Sequence, residues 1–469
     1  MKTIEELPDG KAFLTRLRKE HRTFFAADVP LVIARAPGRL DVMGGIADYS
    51  GAMVCEMPLA EAAFVALQPR EDDVLRVRTS ADVAVNEVTI SLRDLPLDYE
   101  AARQRLTNNE ETMWAAYVLG AFVVLAYEGG MSLLAGANVL LDSAVPLGKG
   151  VSSSAAIEVA TLRALTAAAG LDVSSYELAT LAQTIENRVV GAPCGLMDQL
   201  TSVFGEANHL LKIRCQPDGE ITSLALPDEV HFIGIDSGVR HAVTGASYGD
   251  VRVAAFMGYR IIAEAMNLKF EISDSKQVAI AAPNYHGFLC NIPLAEFQKR
   301  LVKLLPERMR GEEFLARFGG LTDPVTKVDP SRSYAVRAAT THPVKEEARV
   351  QQFIALLTEP TTKETLQWLG ELMYQAHTSY SRCGLGSDAT DELVKAVLKA
   401  GPDSGVFGAK ITGGGSGGTV AVLAKGESGL ATASKIAAQH ARQFDIHPYV
   451  FRGSSPGAAQ VEPFLLECL

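Results

Sequence analysis

Cysteine is scarce in this chain: six residues in 469, scattered, with no C-x-x-C pair. No H-E-x-x-H stands among the nine histidines. These absences argue against a disulfide framework and a zinc site, and they make the cytoplasm the expected address. Long hydrophobic runs are missing too. The most apolar stretch, Met113 to Tyr127, falls short of the roughly 20 residues that cross a bilayer. The opening "MKTIEELPDGK" is charged and has no apolar segment, unlike a signal peptide. No membrane partner is expected. Positive charge is also in short supply, with 44 Lys and Arg against 55 Asp and Glu and a net charge of -11. A nucleic-acid partner would favour a basic face, so none is expected, although a local basic patch around an anionic substrate is compatible with this balance. There is no repeat, no low-complexity tract and no G-x-x-x-x-G-K-[ST], so the P-loop is absent.

What is there is an ordinary globular composition, 48% hydrophobic and 21% charged. The length suffices for two or three domains. Alternating strand-like runs, "LVIARA" and "GANVLLD", mix with helical ones in the first half. Ser174 and Glu177 form a capping-box pattern ahead of a stripe of Leu178, Leu181, Ile185 and Val189, which predicts a helix with Glu186 beside the stripe near its end. Residues 274–341, rich in Pro, Gly and charge, read as an insertion or a lid. Near the end, "KITGGGSGGTVAVLAKG" places turn residues before a strand, and "SGLATASKIAAQHARQF" then reads as a helix. The pattern predicts an α+β fold in two domains, 1–229 and 230–469.

Residues 145–160, "VPLGKGVSSSAAIEVA", contain three consecutive serines. Pro146, Gly148 and Gly150 punctuate a turn. Ala155, Val159, Leu162, Leu165 and Ala169 then recur at helical spacing, with Gly170 as a stop. Ser152, Ser153 and Ser154 therefore stand at a helix N-terminus, where unpaired N–H groups and a partial positive charge suit a phosphate. An ordinary N-cap with two surplus serines has the same local sequence.

Two other matches fail on context. Gly413 to Gly418 fits G-x-G-x-x-G, and Gly414 to Gly418 fits G-x-S-x-G. The dinucleotide fingerprint and the hydrolase elbow both need a helix next. Here the strand-like "TVAVLA" follows. A glycine-rich turn packed against another backbone is the better reading.

Four stretches, in order, resemble one family. "ARAPGRLDVMGGIADYSG" (34–51) is similar to the galactokinase signature. "PLGKGVSSSAA" (146–156) resembles the phosphate loop of the GHMP kinases, and "ITGGGSGGTVAVL" (411–423) their third motif. "ENRVVGAPCGLMDQLTS" (186–202) is similar to the galactokinase segment with the magnesium ligand and the aspartate base. Within the family, "IDSGVRH", "FLCNI", "DPVTKVD" and "CGLGSDATDELV" most resemble the kinase half of plant L-arabinokinases. The resemblance implies a two-domain GHMP kinase fold: a ribosomal-protein-S5-like N-terminal domain, a ferredoxin-like C-terminal domain and an active site in the cleft between them. It implies ATP and Mg²⁺ as cofactors, and a monomer or homodimer whose partners are ATP and a small sugar. Gly148, Gly150, Ser152, Ser153 and Ser154 would hold the phosphates, with Trp114 and Tyr117 bordering the adenine. Ser154 and Glu186 would ligate Mg²⁺, to which hard oxygen donors are suited. Asp198 would take the proton of the attacking hydroxyl while Arg39 stabilises the transferring phosphoryl group. Asp48, Gly195, Tyr248, Gly414 and Gly415 would join Arg39 and Asp198 around the sugar.

The sequence departs from the galactokinase pattern at one place. Galactokinases read Gly-Glu-His-Thr-Asp-Tyr after the arginine, whereas this chain has Gly44-Gly45-Ile46-Ala47-Asp48-Tyr49. Gly45 and Ile46 replace the Glu-His pair that resembles the holder of the galactose C6 hydroxyl. The expected activity is thus an anomeric sugar kinase making L-arabinose 1-phosphate. A galactokinase with a variant pocket, a uronic acid kinase and a non-catalytic sugar sensor stay open as alternatives. A uronic acid would want a cation opposite its carboxylate, which Gly45 and Ile46 do not supply. A sensor would be expected to lose part of the set Arg39, Ser154, Glu186 and Asp198, all of which are present.

Overall fold

The computed structural model describes residues 1–132, 135–239, 248–266, 271–272, 278–279, 285–323 and 325–467. In the first half, α1 (Pro8–Glu20) precedes the long strands β1 (Leu31–Met43) and β2 (Met53–Pro69) and the hairpin β3 (Val74–Thr79) and β4 (Glu87–Ser91). Then come α2 (Tyr99–Thr107), α3 (Ala116–Tyr127), β5 (Ala137–Ser143), α4 (Ser153–Ala169), α5 (Ser175–Thr184), α6 (Met197–Phe204), β6 (His209–Arg214) and β7 (Ile221–Ala225). These strands share a sheet in the order β1-β2-β5-β3-β4, with β6 pairing β2 and β7 pairing β6. All pairs are antiparallel except β3 with β5.

The second half opens with β8 (Val230–Asp236) and α7 (Tyr248–Ala265). Short elements follow: β9 (Glu271–Ile272) with β10 (Val278–Ala279), α8 (Leu294–Glu296), β11 (Met309–Arg310), α9 (Gly311–Phe318) and β12 (Ser333–Tyr334). Three longer helices, α10 (Val336–Leu357), α11 (Lys363–Arg382) and α12 (Asp388–Ala400), lead to β13 (Val406–Ile411), β14 (Thr419–Lys425), α13 (Gly426–Phe444), β15 (Val450–Phe451) and β16 (Phe464–Leu466). The second sheet runs β13-β14-β8-β15. The last strand, β16, leaves it and pairs with β1, setting Leu466 opposite Leu31. Both sheets carry helices, and the architecture is the expected α+β one.

The core explains where the cleft falls. α4 packs on β1 and β2, and its Ala155, Val159 and Leu162 are fully buried. Gly170, at φ +63°, ends it in a left-handed cap. The Ser174–Glu177 capping box is present, closing α5 at its start. The helix does not run on regularly through Glu186. Residues Ile185–Val190 form a widened turn with i→i+5 bonding, a feature often found at functional sites. The expected helix near the end is α13. Part of the segment 274–341 lies outside the described residues. Its described part is no surface appendage: Tyr285, Leu289, Phe297 and Phe314 are buried with α7 and α10 in one apolar cluster. Among the described residues, no helix is long and apolar enough to cross a membrane.

Candidate active site

The start of α4, the end of β1, the turn before α6 and the β13–β14 turn meet around a cleft of about 380 Å³. Its wall includes Gly148, Gly150, Ser152, Ser153, Ser154, Glu186, Asp198, Arg39, Asp48, Ile46, Gly195, Tyr117, Tyr248 and Gly414. Most of the residues singled out in the sequence are thus brought together. A larger hollow, about 830 Å³, lies between α10 and α11, and none of these residues lines it.

The serine cluster is not an ordinary cap. Ser152 occupies the N-cap position of α4 at φ 57°, ψ 49°, and its hydroxyl makes no capping bond. That buried oxygen has no partner at all. A non-glycine residue held in the left-handed region costs conformational energy, and a buried hydroxyl left unpaired costs more. Both costs are understandable where a ligand completes the site. The β13–β14 turn closes this end. A Cβ on Gly413 would stand 2.6 Å from the Gly150 carbonyl oxygen, so the two glycine-rich loops touch backbone to backbone. With β13 before the turn and β14 after it, the dinucleotide and hydrolase readings are excluded by structure as well.

At the floor, Arg39 is buried (3% exposed). Its Nε and Nη2 both reach Asp198 Oδ1, at 2.9 and 2.8 Å, and Nη1 donates to the Gly150 carbonyl at 2.7 Å. Glu56, wholly buried on β2, lies 3.3 Å from Nε. Burial works against the guanidinium's charge, but Asp198, Glu56 and Asp41 outweigh it and raise the Arg39 pKa. Glu56 is driven well above the carboxylate range by burial and then by Asp41. Asp198 sits in the first turn of α6, where a helix end favours an anion.

Beside this pair lies a second group of acids. Gln199 Nε2 donates to Glu186 Oε2 at 3.0 Å and approaches Glu158 Oε2 at 3.4 Å. Burial, then the charge of Asp198, push Glu186 up to about 7, while the Ser154 hydroxyl partly offsets this. Burial and Glu186 hold Glu158 well above its ordinary value. The hydroxyl and carboxylate side by side, with repulsion that a cation would relieve, fit a hard divalent metal. Among the described residues no three His, Cys, Asp or Glu could hold one alone, so such an ion needs further oxygens from a ligand or water.

The far end of the cleft is formed by the turn Gly45–Ser50. Asp48 lies over Gly195, where a Cβ would come 1.7 Å from Asp48 Oδ2. Only glycine permits that approach. Burial, then Asp198, push Asp48 up to about 7. Tyr248 meets the Tyr49 ring edge-on at 5.8 Å between centroids.

Three expected residues do not reach the cleft wall. Trp114 is half-buried and gives its indole N–H to the Val85 carbonyl at 2.8 Å, so its polar handle anchors the β3–β4 loop. Gly415 faces Leu385 and Tyr380 instead. Gly45 turns inward: its N–H goes to Asp41 Oδ1 (3.1 Å) and its Cα abuts Tyr380. Its place in the motif puts it among the expected sugar-binding residues, and here it faces Tyr380 and Asp41 behind the wall.

Several wall and support residues went unread in the sequence. Glu158 stands one turn after Ser154 on α4, and Arg252 one turn after Tyr248 on α7; helical spacing could have found both. Arg252 is buried, contacts Asp323 at 3.1 Å and lies over the Tyr49 ring. Lys410 and Tyr380 carried no local signal. Lys410 is fully buried and bonded to Asp41 Oδ2 at 2.7 Å.

Comparison with known proteins agrees with this geometry. The family described as GHMP kinases N terminal domain matches residues 116–206, GHMP kinases C terminal matches 354–445, and the galactokinase galactose-binding signature matches 19–69. An L-arabinokinase of Arabidopsis thaliana is 41% identical over 95% of this chain and 48% of its own length. This chain therefore spans about half of that protein. A galactokinase of Chloroflexus aurantiacus is 33% identical over 61% of this chain and 69% of its own. The structure of Lactococcus lactis galactokinase complexed with galactose superposes with a TM-score of 0.74 at 19% identity, covering 95% of this chain and 99% of that one, a likeness of fold. With profile matches in both halves and a sheet-and-helix framework of the same kind, the chain belongs to the GHMP kinase family, on its galactokinase side.

Proposed function

We propose that this protein is an ATP- and Mg²⁺-dependent sugar 1-kinase that converts L-arabinose to L-arabinose 1-phosphate. The observation that carries the reading is the Asp198–Arg39 pair, bonded at 2.8 Å between the serine-rich helix start and the Gly45–Ser50 turn. Phosphoryl transfer needs positioning and charge neutralisation more than covalent chemistry from the protein, and the pair stands where both are needed.

The backbone of 148–154 and the positive end of α4 hold the phosphate chain. Tyr117 borders the nucleotide. Glu186 and Ser154 would hold Mg²⁺, which supplies charge neutralisation on the phosphate oxygens. Asp48, Tyr248 and the Gly195 backbone orient the sugar with its anomeric hydroxyl at Asp198. Asp198 accepts the hydroxyl proton as that oxygen bonds the γ-phosphorus and the β–γ bridging bond breaks, leaving ADP. Arg39 balances the charge on the transferring group. We place the domain division at 229/230, supported by β8 starting at Val230 in the second sheet and qualified by the return of β16 to the first.

The choice of sugar rests on Ile46. L-Arabinopyranose has the ring configuration of D-galactopyranose without the C6 hydroxymethyl group. Ile46 lines the cleft and offers no polar partner, so a C6 hydroxyl against it loses a hydrogen bond. That costs about 1–3 kcal/mol, or roughly 5- to 150-fold in selectivity. The test is ATP consumption with L-arabinose, D-galactose, D-glucuronate and D-galacturonate. L-Arabinose should give the highest kcat/KM. Galactose used as well or better would leave a galactokinase, preference for a uronate a uronic acid kinase, and no turnover with any of them a sensor.

A further inference from the structure

We propose that Tyr380, on α11 and outside the cleft, sets the sugar selectivity of this site by filling the space behind Gly45 and pinning the backbone of Ile46. The inference rests on the sugar-kinase reading and deepens it.

Tyr380 is wholly buried, and each of its polar contacts goes to a part of the site. Its hydroxyl accepts the Ile46 N–H at 2.9 Å. It also bonds the Gly413 carbonyl at 3.1 Å and approaches Asp41 Oδ2 at 3.4 Å. One atom therefore joins the Gly45–Ser50 turn to the β13–β14 turn, across 334 residues of chain in the first case. Burial and the nearby Asp41 keep the phenol protonated, so it stays a donor as well as an acceptor.

The same oxygen excludes any side chain at position 45. A Cβ there would lie 1.7 Å from the Tyr380 oxygen and 2.6 Å from Asp41 Oδ2. Gly45 also has φ +46°, which side chains rarely adopt. Gly45 and Tyr380 thus form one unit: position 45 has to be glycine while Tyr380 holds this pose. That unit directs Ile46 into the cleft, where it meets the part of the sugar that distinguishes a hexose from a pentose of the same configuration. Replacing Gly45 by glutamate and Ile46 by histidine would not restore a galactose-type pocket, because the glutamate has no room while Tyr380 remains.

The test compares kcat/KM for D-galactose and L-arabinose in the parent, Tyr380→Phe, Gly45→Ala and the double variant, with KM for ATP measured alongside. Tyr380→Phe keeps the ring and removes only the hydroxyl. It should free Ile46 and shift the galactose-to-arabinose ratio toward galactose by about tenfold, the size of one lost buried hydrogen bond, while KM for ATP moves by less than about twofold. Gly45→Ala should shift the ratio the same way by displacing the hydroxyl, and the two effects should not multiply in the double variant. An unchanged ratio in both single variants, or strictly multiplying effects, overturns the proposal and leaves Tyr380 a packing residue. If Tyr380→Phe does not fold, the ratio in Gly45→Ala decides alone. A parent that prefers galactose refutes L-arabinose as the substrate while the shift still scores Tyr380. A parent that uses neither sugar overturns both.

Discussion

The two ends of the cleft are built differently. The end proposed for the phosphates is made by neighbours in sequence: Gly148, Gly150 and Ser152–Ser154 lie within seven consecutive residues, all at one helix start. The end proposed for the sugar is assembled from distant segments. Asp48 sits against Gly195, Tyr248 meets Tyr49 edge-on, and Ile46 hangs from Tyr380. Backbone recognition of a phosphate tolerates few designs, so it recurs as a motif. Recognition of one sugar among many depends on which side chains packing brings to the wall, and no motif records that.

The floor between the two ends should be the most sensitive point. In Asp198→Asn the amide cannot take the hydroxyl proton, and turnover should fall by about 10²–10⁴-fold with ATP still bound. Single-turnover assays with nucleotide-binding titrations would check this. Near-normal turnover would remove Asp198 from its role and with it the idea that the floor serves both ends.

A smaller effect should mark the phosphate end alone. Glu186→Ala and Ser154→Ala should raise the Mg²⁺ concentration for half-maximal rate by about tenfold or more, comparable to losing even an outer partner of a metal, and leave KM for the sugar nearly in place. Parent-like Mg²⁺ titrations of both variants would mean that these are not the ligands.

The mildest change should come from the sugar end. The Asp48 carboxyl stands at about 7 against an ordinary 3.8, chiefly through burial. The ionised carboxylate is the stronger acceptor for sugar hydroxyls, so kcat/KM for the sugar should rise as pH passes upward through about 7, and Asp48→Asn should flatten that rise at a lower level. Stability should run the opposite way. Between 3.8 and about 7 the folded state holds a proton that the unfolded chain has given up, so this group's contribution is present at low pH and is lost as pH rises through 7. Melting temperatures at pH 5 and 8 should show Asp48→Asn gaining more on the parent at pH 8 than at pH 5.

Much of the fold was legible because its signals are local. The α4 stripe with its Gly170 stop, the Ser174–Glu177 capping box and the strand after the glycine-rich turn all depend on spacing within one element, and all are present. Glu186 was legible as a site residue through its distance from Asp198, but not the widened turn that holds it. Trp114 shows the limit. Its resemblance to a galactokinase Trp-x-x-Tyr pair implied a place beside the adenine, yet the short 3₁₀ turn Met113–Ala115 breaks the helix between it and Tyr117 and the indole turns to Val85. Gly45 shows it again. Its motif position showed that a glutamate is missing there, and only Tyr380, far away in sequence, shows what occupies the space.

The sequence by itself determined the family and the helix start at the serine cluster, and it supplied the arginine and aspartate proposed here as the catalytic pair, because each of these depends on residue types at short, fixed separations or in a fixed order. Tertiary structure alone decided which side chains line the end of the cleft proposed for the sugar and what holds them there. The Asp41–Lys410 pair, the Glu56 carboxyl beside Arg39 and the Tyr380 hydroxyl on Ile46 are contacts between buried groups from separate elements. Their strength comes from exclusion of water, and that exclusion exists only once the sheets and helices have closed around them.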